Sequence, residues 1–306
     1  MLPTLFEFGG FAVPAYAICT IVAYSLGFWW LHRGARRVMT DVDSLPGLYI
    51  AVMVGGMLGA RLMHIVGGEG IWAPVEVWTA LVSSMVGLAF LGGVLGGTVG
   101  AVAYMIGARM PVFKLLDVAA PGLMLGLAAG RTGCLLAGCC HGRVVPVESW
   151  DPLVSLSGGS IVTVELPPYL AVVFHSGAHG SVLEAPVYPT QLAEVTAAVA
   201  LAGLLAWMWE QFRRFDGQIF ASMLLGYGGV RWGIEALRGD EVRGAAHDVA
   251  GLLLSTGRVS SLFVGLAAVL LVIARHRTGV APEPVEGPEL GEDAPEVDLS
   301  GLEDEP

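Results

Sequence analysis

The stretch that decides the fold runs from residue 117 to residue 143 and reads DVAAPGLMLGLAAGRTGCLLAGCCHGR. Its apolar part approaches the length of about 20 residues that is needed to cross a bilayer. Arg131 interrupts this apolar run. Because an ionised side chain at the centre of a bilayer costs about 2.5–3.5 kcal/mol or more, it normally faces a partner or a water-filled cavity. The stretch therefore predicts a transmembrane helix that presents a cation to an anion.

The whole chain shares the composition of this stretch. Of its 306 residues, 55% are hydrophobic and 14% are charged, and its mean hydropathy is +0.68. Soluble domains carry about 25% charged residues, so a water-facing surface could not be built from this sequence. The formal net charge of -11 comes mainly from the C-terminal end, and no nucleic-acid partner is expected.

Hydropathy predicts an all-α integral membrane protein with about seven transmembrane helices. The predicted spans are 11–31, 47–67, 79–106, 115–138, 189–209, 217–237 and 258–274. Nine of the 16 lysines and arginines directly follow spans one, three, five and seven. The positive-inside rule makes that side cytoplasmic. We therefore expect a multi-pass protein with its N-terminus outside and its C-terminal tail in the cytoplasm.

Two regions stand apart from the spans. Residues 139–187 connect spans four and five, and the β-branched runs 160–164 and 171–174 predict a small extracytoplasmic head region there. Residues 279–306 contain ten acidic residues and no basic residue, which predicts an acidic disordered cytoplasmic tail. The expected division is a polytopic membrane domain over 1–278 followed by this tail.

Glycines recur at four-residue spacing in spans three and four. The two ridges are Gly92, Gly96 and Gly100, then Gly122, Gly126 and Gly130. Such ridges let helix backbones approach each other closely in a membrane. We therefore expect tight packing of spans three and four.

Three arginines interrupt predicted spans: Arg61, Arg131 and Arg231. Glu235 follows Arg231 by four residues, on the same helical face, and Glu194 lies near the outer end of span five. These carboxylates could simply neutralise arginines in buried pairs. Three arginines against two carboxylates leave positive charge over, however, and a phosphate group would accept bidentate hydrogen bonds from it.

The sequence Cys139-Cys140-His141 allows three interpretations. The cluster could bind zinc, although zinc ligands in proteins are typically separated by two or more residues. It could supply a nucleophilic cysteine that His141 activates. The cysteines could also be small apolar side chains that pack at a helix end. The residues alone leave these alternatives open.

Four stretches together resemble one protein family. Residues 117–143 resemble the signature D-x-x-A-P-x4-G-x3-G-R-x-G-N-F-x-N-G-E-x2-G-R of the bacterial prolipoprotein diacylglyceryl transferases. GGMLGARLMHIV (55–66) resembles the G-A-R motif of that family, and YPTQLAE (188–194) resembles H-P-x-Q-L-Y-E. YGGVRWGIEALRGD (227–240) resembles Y-G-x-x-R-x-x-x-E-x-x-R-x-P-D. The four motifs occur in the family's order.

The resemblance implies an enzyme of the bacterial inner (cytoplasmic) membrane. This family transfers the diacylglyceryl group of phosphatidylglycerol to the lipobox cysteine that follows a prolipoprotein signal peptide, which forms a thioether. It implies that Arg131 and Arg231 bind the phosphate, that Tyr227 belongs to the catalytic residues, and that no metal or organic cofactor is used. Further residues at matching or neighbouring positions are implied to bind substrate: Arg61, Gly142, Arg143, Gln191, Glu194 and Glu235.

This sequence departs from the family pattern where proton transfer is expected. Leu91 and Tyr188 replace family histidines, and Cys134, Ala137 and Cys139 replace two asparagines and a glutamate. We predict that His141 takes over proton removal from the acceptor thiol, with His64 on span two as the second choice. The alternative is a diverged phospholipid-using transferase or a lipid-binding membrane protein with a different acceptor.

Overall fold

The computed structural model describes residues 4–8, 11–39, 41–68, 90–142, 154–156, 162–165, 171–174, 183–235, 247–249, 252–254, 261–262, 264–270 and 272–273. Helices form the body of this described part, and short antiparallel strands form small sheets beside it. Arg143 and the acidic tail 279–306 lie outside the described residues.

Six helices overlap the predicted spans one to six, and residues 79–89 of the third span lie outside the described residues. They are α1 (Ala15–Ala35), α2 (Leu45–Gly68), α3 (Phe90–Gly107), α4 (Val112–Ala137), α5 (Thr190–Gln211) and α6 (Gln218–Glu235). Residues 264–270, within the predicted seventh span, are also helical. Among the described residues, α1, α2, α4 and α5 are long and apolar enough to cross a membrane, and α3 is a shorter apolar helix. The helical membrane body predicted from hydropathy is therefore confirmed in its coarse form.

The N-terminal boundary differs from the prediction. The sequence places the start of the first span at residue 11, but Thr4–Phe8 (β1) and Phe11–Pro14 (β2) form an antiparallel hairpin. The helix begins only after Pro14, which has extended backbone angles of φ -71° and ψ 138°. Hydropathy could not detect this boundary because the strand residues are as apolar as the helix that follows.

The connection between α4 and α5 contains four strands among its described residues. Its strands are β3 (Val154–Leu156), β4 (Val162–Glu165), β5 (Ala171–Phe174) and β6 (Leu183–Val187). They pair antiparallel in sequence order. Two further strands, β7 (His247–Val249) and β8 (Leu252–Leu254), form a hairpin after α6.

The glycine ridge of α3 packs against α2. A Cβ atom added at Gly59 would collide with the carbonyl oxygen of Gly92, and one added at Gly96 would collide with that of Gly55. The two backbones therefore touch along this line, as small-residue ridges in membranes allow. The prediction of close packing holds for span three, but its main partner is span two rather than span four.

The glycine ridge of α4 packs mainly against α1. A Cβ at Gly122 would lie 2.9 Å from Cβ of Trp30, and one at Gly126 would lie 3.0 Å from the carbonyl oxygen of Ala23. The opposite side of α4 packs on α5 and α6. The spacing of glycines shows where helix backbones can approach each other. It does not identify the helix that packs there.

A buried carboxylate joins α4 to the start of α6. Asp117 is 0% exposed, and its two oxygens accept hydrogen bonds from the backbone N–H groups of Gly217 (2.8 Å) and Phe220 (2.9 Å). These N–H groups have no partner within the helix. Asp117 therefore caps α6 and aligns it with α4, so that α6 extends towards the end of α4 that carries Arg131.

Candidate active site

One buried carboxylate connects the three helices that meet at this end of the bundle. Glu194 lies in the first turns of α5 and is 1% exposed. Its Oε2 atom lies 3.0 Å from Nε of Arg131 on α4. Its Oε1 atom accepts a hydrogen bond of 2.9 Å from the hydroxyl group of Tyr227 on α6. Three of the residues singled out in the sequence are thus direct neighbours.

The charges of this network are held in place by their partners. A buried carboxylate is strongly disfavoured unless it is paired and hydrogen-bonded, and here both oxygens of Glu194 have donors. The Arg131 side chain is 15% exposed, so one side of its guanidinium group is fixed while part of it remains accessible. The arrangement orients the Arg131 guanidinium before any ligand binds.

The second arginine lies one turn beyond Tyr227 on the same face of α6. Arg231 Nη2 lies 2.8 Å from Oε2 of Glu235, and the two side chains are 19% and 13% exposed. Among the described residues, Arg231 Nη1 is a buried nitrogen that has no hydrogen-bond partner. An unpaired buried N–H group costs about 1–3 kcal/mol, and an anionic oxygen would remove that cost. This nitrogen is therefore suited to an anionic ligand.

The loop after α4 is anchored to the N-terminus of α5. Gln191 Nε2 donates a hydrogen bond of 2.7 Å to the carbonyl oxygen of Cys139, and Thr190 Oγ1 donates one of 3.1 Å to that of Cys140. The backbone N–H of Gly142 donates to the carbonyl oxygen of Tyr188 at 2.8 Å. Gln191 and Gly142, both predicted to bind substrate, thus shape the loop. Thr190, which the sequence analysis did not single out, has the same function.

Three thiols converge in this loop. The sulfur atoms of Cys134, Cys139 and Cys140 all lie within 4.8 Å of one another. Hydrogen bonds with the Cys134 and Cys140 thiols, together with burial, raise the pKa of the Cys139 thiol. Because the thiolate is the nucleophilic form, this environment argues against Cys139 as an activated nucleophile. The interpretations as a metal site and as packing remain.

His141 lies directly after this cluster and is half-buried. Its Nδ1 atom lies 2.9 Å from the carbonyl oxygen of Gly142. Since a carbonyl oxygen can only accept a hydrogen bond, Nδ1 carries a proton in this contact, and in a ring with a single proton Nε2 is the nitrogen that can accept another. The ring is thus held in the tautomer that a base acting through Nε2 requires.

Three further positions from the sequence lie on α2, at the start of α3 and just before α5. Arg61 is 6% exposed and belongs to α2, whose main partner is α3. Leu91, where the family resemblance leads us to expect a histidine, stands at the start of α3 and is 43% exposed. Tyr188, at the other histidine position, is 7% exposed and stands just before α5.

A comparison with known sequences shows the family of this chain. The sequence profile of the prolipoprotein diacylglyceryl transferases matches residues 3–274, which is nearly the whole chain. The chain belongs to the prolipoprotein diacylglyceryl transferase family. The match includes all six helices and every residue of the network at Glu194.

Several relatives in the diacylglyceryl transferase family align over most of their length. A phosphatidylglycerol–prolipoprotein diacylglyceryl transferase of Rhodospirillum rubrum is 30% identical over 290 residues, which cover 90% of this chain and 92% of that protein. One of Dehalococcoides mccartyi is 28% identical over 279 residues, covering 90% and 94%. The protein of Clostridium perfringens named phosphatidylglycerol–prolipoprotein diacylglyceryl transferase 2 is 26% identical over 264 residues, covering 86% and 88%.

Proposed function

We propose that this member of the family transfers the diacylglyceryl group of phosphatidylglycerol to the lipobox cysteine of prolipoproteins. The reaction forms a thioether and releases glycerol phosphate. The observation that carries the proposal is the pair of arginines, Arg131 and Arg231, on neighbouring helices that meet at Glu194. Arg131 is held by Glu194, and Arg231 has a buried nitrogen that lacks a hydrogen-bond partner among the described residues.

The two arginines suit a phosphodiester that leaves as a phosphate monoester. When the bond between the glycerol carbon and the phosphate oxygen breaks, negative charge grows on the departing phosphate. Donors that are fixed beforehand stabilise this charge more than they stabilise the ground state, which accelerates the reaction. Guanidinium groups bind phosphate through two parallel hydrogen bonds, so Arg131 and Arg231 would contact the phosphate from two helices.

Each of the remaining predicted residues is assigned one role in the reaction. Glu194 and Glu235 orient the two arginines, and Tyr227 holds Glu194 while facing the same site. His141 takes the proton of the acceptor thiol through Nε2. The other predicted substrate-binding residues shape the loop or add positive charge around the lipid: Gly142, Gln191, Arg61 and Arg143.

We further propose the topology that this reaction needs. Seven spans would cross the bacterial inner membrane, with the N-terminus and the head region 139–187 outside and the acidic tail 279–306 in the cytoplasm. Domain 1–278 would then carry the whole transferase. The support is the cluster of basic residues after alternate spans and the four described helices that are long enough to cross. The site at Glu194 would open to the outer side, where a lipobox cysteine emerges.

A second candidate is a transferase or lipid-binding protein that uses the same lipid with another acceptor. The observation that favours it is the thiol cluster, since Cys134 and Cys139 stand where the family pattern has an asparagine and a glutamate. An altered loop beside a retained arginine pair could accept a different nucleophile.

Complementation separates the two candidates. The chain is expressed in a bacterium depleted of its own prolipoprotein diacylglyceryl transferase, together with Arg131→Ala, Arg231→Ala and the control Arg37→Ala. Arg37 forms an exposed ion pair with Glu210, with both side chains about half exposed. We expect rescue by the unchanged chain and by the control, and none by the other two. Absence of rescue by a well-inserted chain would contradict the lipobox acceptor and support the second candidate.

A further inference from the structure

The thiol cluster is the part of this site that the proposed function has not used. Cys134 lies in the last turn of α4 and is buried, and Cys139 and Cys140 lie in the loop that follows and are half-buried. All three sulfur atoms lie within 4.8 Å of one another. The helix alone does not bring these thiols together, because residues 139 and 140 follow the end of α4.

The backbone of the loop is bent so that two adjacent cysteines can point to one place. Adjacent residues of an extended chain direct their side chains to opposite sides. Cys140 has a φ of 62°, which is a left-handed conformation that side chains other than glycine rarely adopt, at a cost of about 1–3 kcal/mol. The carbonyl groups of Cys139 and Cys140 are held by Gln191 and Thr190. Strain that is held in place by its surroundings is typical of functional sites.

We propose that Cys134, Cys139 and Cys140 bind one Zn²⁺ ion through their thiolates. Zn–S bonds of about 2.3 Å in a tetrahedron place the sulfur atoms about 3.8 Å apart, so the sulfurs need to approach by only about 1 Å. Thiolates are preferred ligands of such soft metal ions. The expectation of no metal came from the family resemblance, and the objection to zinc in the sequence was that Cys139, Cys140 and His141 are contiguous. The left-handed conformation of Cys140 removes that objection for the two cysteines.

The fourth coordination position is the functional feature of this site. Among the described residues the cluster consists of three potential ligands. Zinc sites with three protein ligands and one open position are typical of catalysis, whereas structural zinc sites are closed by four. Cys134 follows Arg131 by three residues, so both lie on the same face of α4. A ligand in the open position would therefore lie near the arginine assigned to the phosphate.

The acceptor thiol of the prolipoprotein fits this position, an assignment that rests on the proposed function. Coordination to zinc deprotonates a thiol at neutral pH, and its proton passes to His141, the base that the proposed function assigns. The thiolate sulfur then forms the bond to the glycerol carbon, while the carbon–oxygen bond to the phosphate breaks and its electron pair leaves with glycerol phosphate. The neutral thioether is a weaker ligand than a thiolate and dissociates. The zinc ion would thus supply the thiolate in a protein with Leu91 and Tyr188 at the family histidine positions.

Metal content of the full chain in detergent tests the site without lipid or activity. The variants Cys134→Ser, Cys139→Ser and Cys140→Ser are compared with the unchanged chain and with Cys19→Ser, which removes a thiol of α1 outside the cluster. After equilibration with Zn²⁺ and removal of excess, we expect about one zinc ion per unchanged or control chain and affinity weakened by at least about tenfold in the cluster variants. No zinc in the unchanged chain, equal zinc in the variants, or a disulfide among the three cysteines would overturn the proposal.

Cobalt substitution tests the open position. The unchanged chain is loaded with Co²⁺, and the sulfur-to-cobalt charge-transfer absorption is followed as a lipobox peptide is added. We expect the absorption to increase by about one third, from three thiolates to four, with the cysteine peptide and to stay constant with a serine peptide. An unchanged spectrum with the cysteine peptide would overturn the assignment of the acceptor thiol.

The zinc proposal and the proposed function fail in different ways. Chelator-treated chain, which does not depend on any variant folding, is assayed for diacylglyceryl transfer before and after zinc is restored. We expect the transfer rate to fall at least about tenfold when zinc is removed and to recover when zinc is restored. Transfer at full rate without zinc would overturn zinc activation and leave the proposed function standing. Zinc binding with the cobalt response but no transfer to the peptide would contradict the proposed function and leave the metal site standing.

Discussion

Arg131 Nε and Glu194 Oε2 lie 3.0 Å apart, and the side chains that carry them are 15% and 1% exposed. This pair joins the C-terminal part of α4 to the N-terminal part of α5. Breaking such a pair by removing one partner is far more costly than breaking an exposed pair, because the other charge remains buried. The position of the arginine that we assign to the phosphate therefore depends on a carboxylate.

Glu194→Gln should destabilise the protein in a way that an anion reverses. Glutamine keeps the size of the side chain and an oxygen for Tyr227, but Arg131 loses its counter-charge. We expect a loss of about 3–5 kcal/mol, seen as a lower Tm in detergent. Glycerol phosphate should raise the Tm of this variant more than that of the unchanged protein. An equal increase in both proteins would argue against an anion site at Arg131.

Substitutions of Arg231 should separate its charge from its geometry. Arg231→Ala removes both, and we expect the transfer rate to fall by about 10²–10³-fold. Arg231→Lys keeps the charge but loses the forked donor geometry that matches a phosphate. Its transfer rate should therefore lie between the rates of the unchanged chain and of Arg231→Ala. The exposed residue Arg37, changed to alanine, serves as control. A Lys variant with the full rate would mean that the buried Nη1 atom does not contact the phosphate.

Tyr227→Phe removes one hydrogen bond and leaves the ring in place. Since the hydroxyl group donates to a buried carboxylate at 2.9 Å, the loss should cost about 1.5–3 kcal/mol of stability. Tm and kcat are measured on the same preparation, which separates a stabilising hydrogen bond to Glu194 from a contact with the substrate. A fall in kcat with unchanged Tm would mean that Tyr227 contacts the substrate and that its bond to Glu194 contributes little.

The prediction for Asp117 is structural. Asp117→Ala leaves the N–H groups of Gly217 and Phe220 buried without their acceptors, at about 1–3 kcal/mol each. We expect a lower Tm, while the transfer rate per folded molecule stays unchanged because Asp117 lies far along α4 from Arg131. Glu210→Ala, which removes a carboxylate that is 58% exposed, should leave Tm nearly unchanged. Loss of activity in folded Asp117→Ala would show that the alignment of α6 controls the site.

The glycine contact between α2 and α3 gives a matched pair of variants. A Cβ at Gly59 meets the backbone of Gly92 and Gly96, whereas one at Gly203 on α5 meets nothing within 4 Å. Gly59→Ala must push the helices apart and should cost about 1–3 kcal/mol. Gly203→Ala should be neutral or stabilising by up to about 1 kcal/mol. Equal Tm values would mean that α2 and α3 do not pack through this ridge.

Sequence reasoning was most successful where the signal is local. Apolar runs located the helices of the described body because burial in a membrane requires continuous apolar length. Charges within or near the apolar runs located Arg131, Glu194 and Arg231, since ionised groups inside such helices need partners. The family resemblance located Tyr227. These residues are neighbours in the structure.

The features that the sequence did not predict depend on long-range contacts or on single backbone angles. The hydrogen bonds of Asp117 join residues about a hundred positions apart, which no local pattern encodes. The convergence of Cys134, Cys139 and Cys140 depends on the left-handed angle of Cys140, and cysteine has no preference that would reveal it. The partner of each glycine ridge depends likewise on the arrangement of the whole bundle.

The central claim is the transfer of a diacylglyceryl group to a cysteine thiol, and mass spectrometry of the acceptor tests it most directly. Purified chain is incubated with phosphatidylglycerol vesicles and a lipobox peptide, beside the same peptide with serine in place of cysteine. The account predicts that the cysteine peptide gains the mass of one diacylglyceryl group, that glycerol phosphate appears with it, and that Arg131→Ala and Arg231→Ala abolish both. The account would be contradicted if the folded chain left the cysteine peptide unmodified while an active enzyme of the family modified it in a parallel reaction.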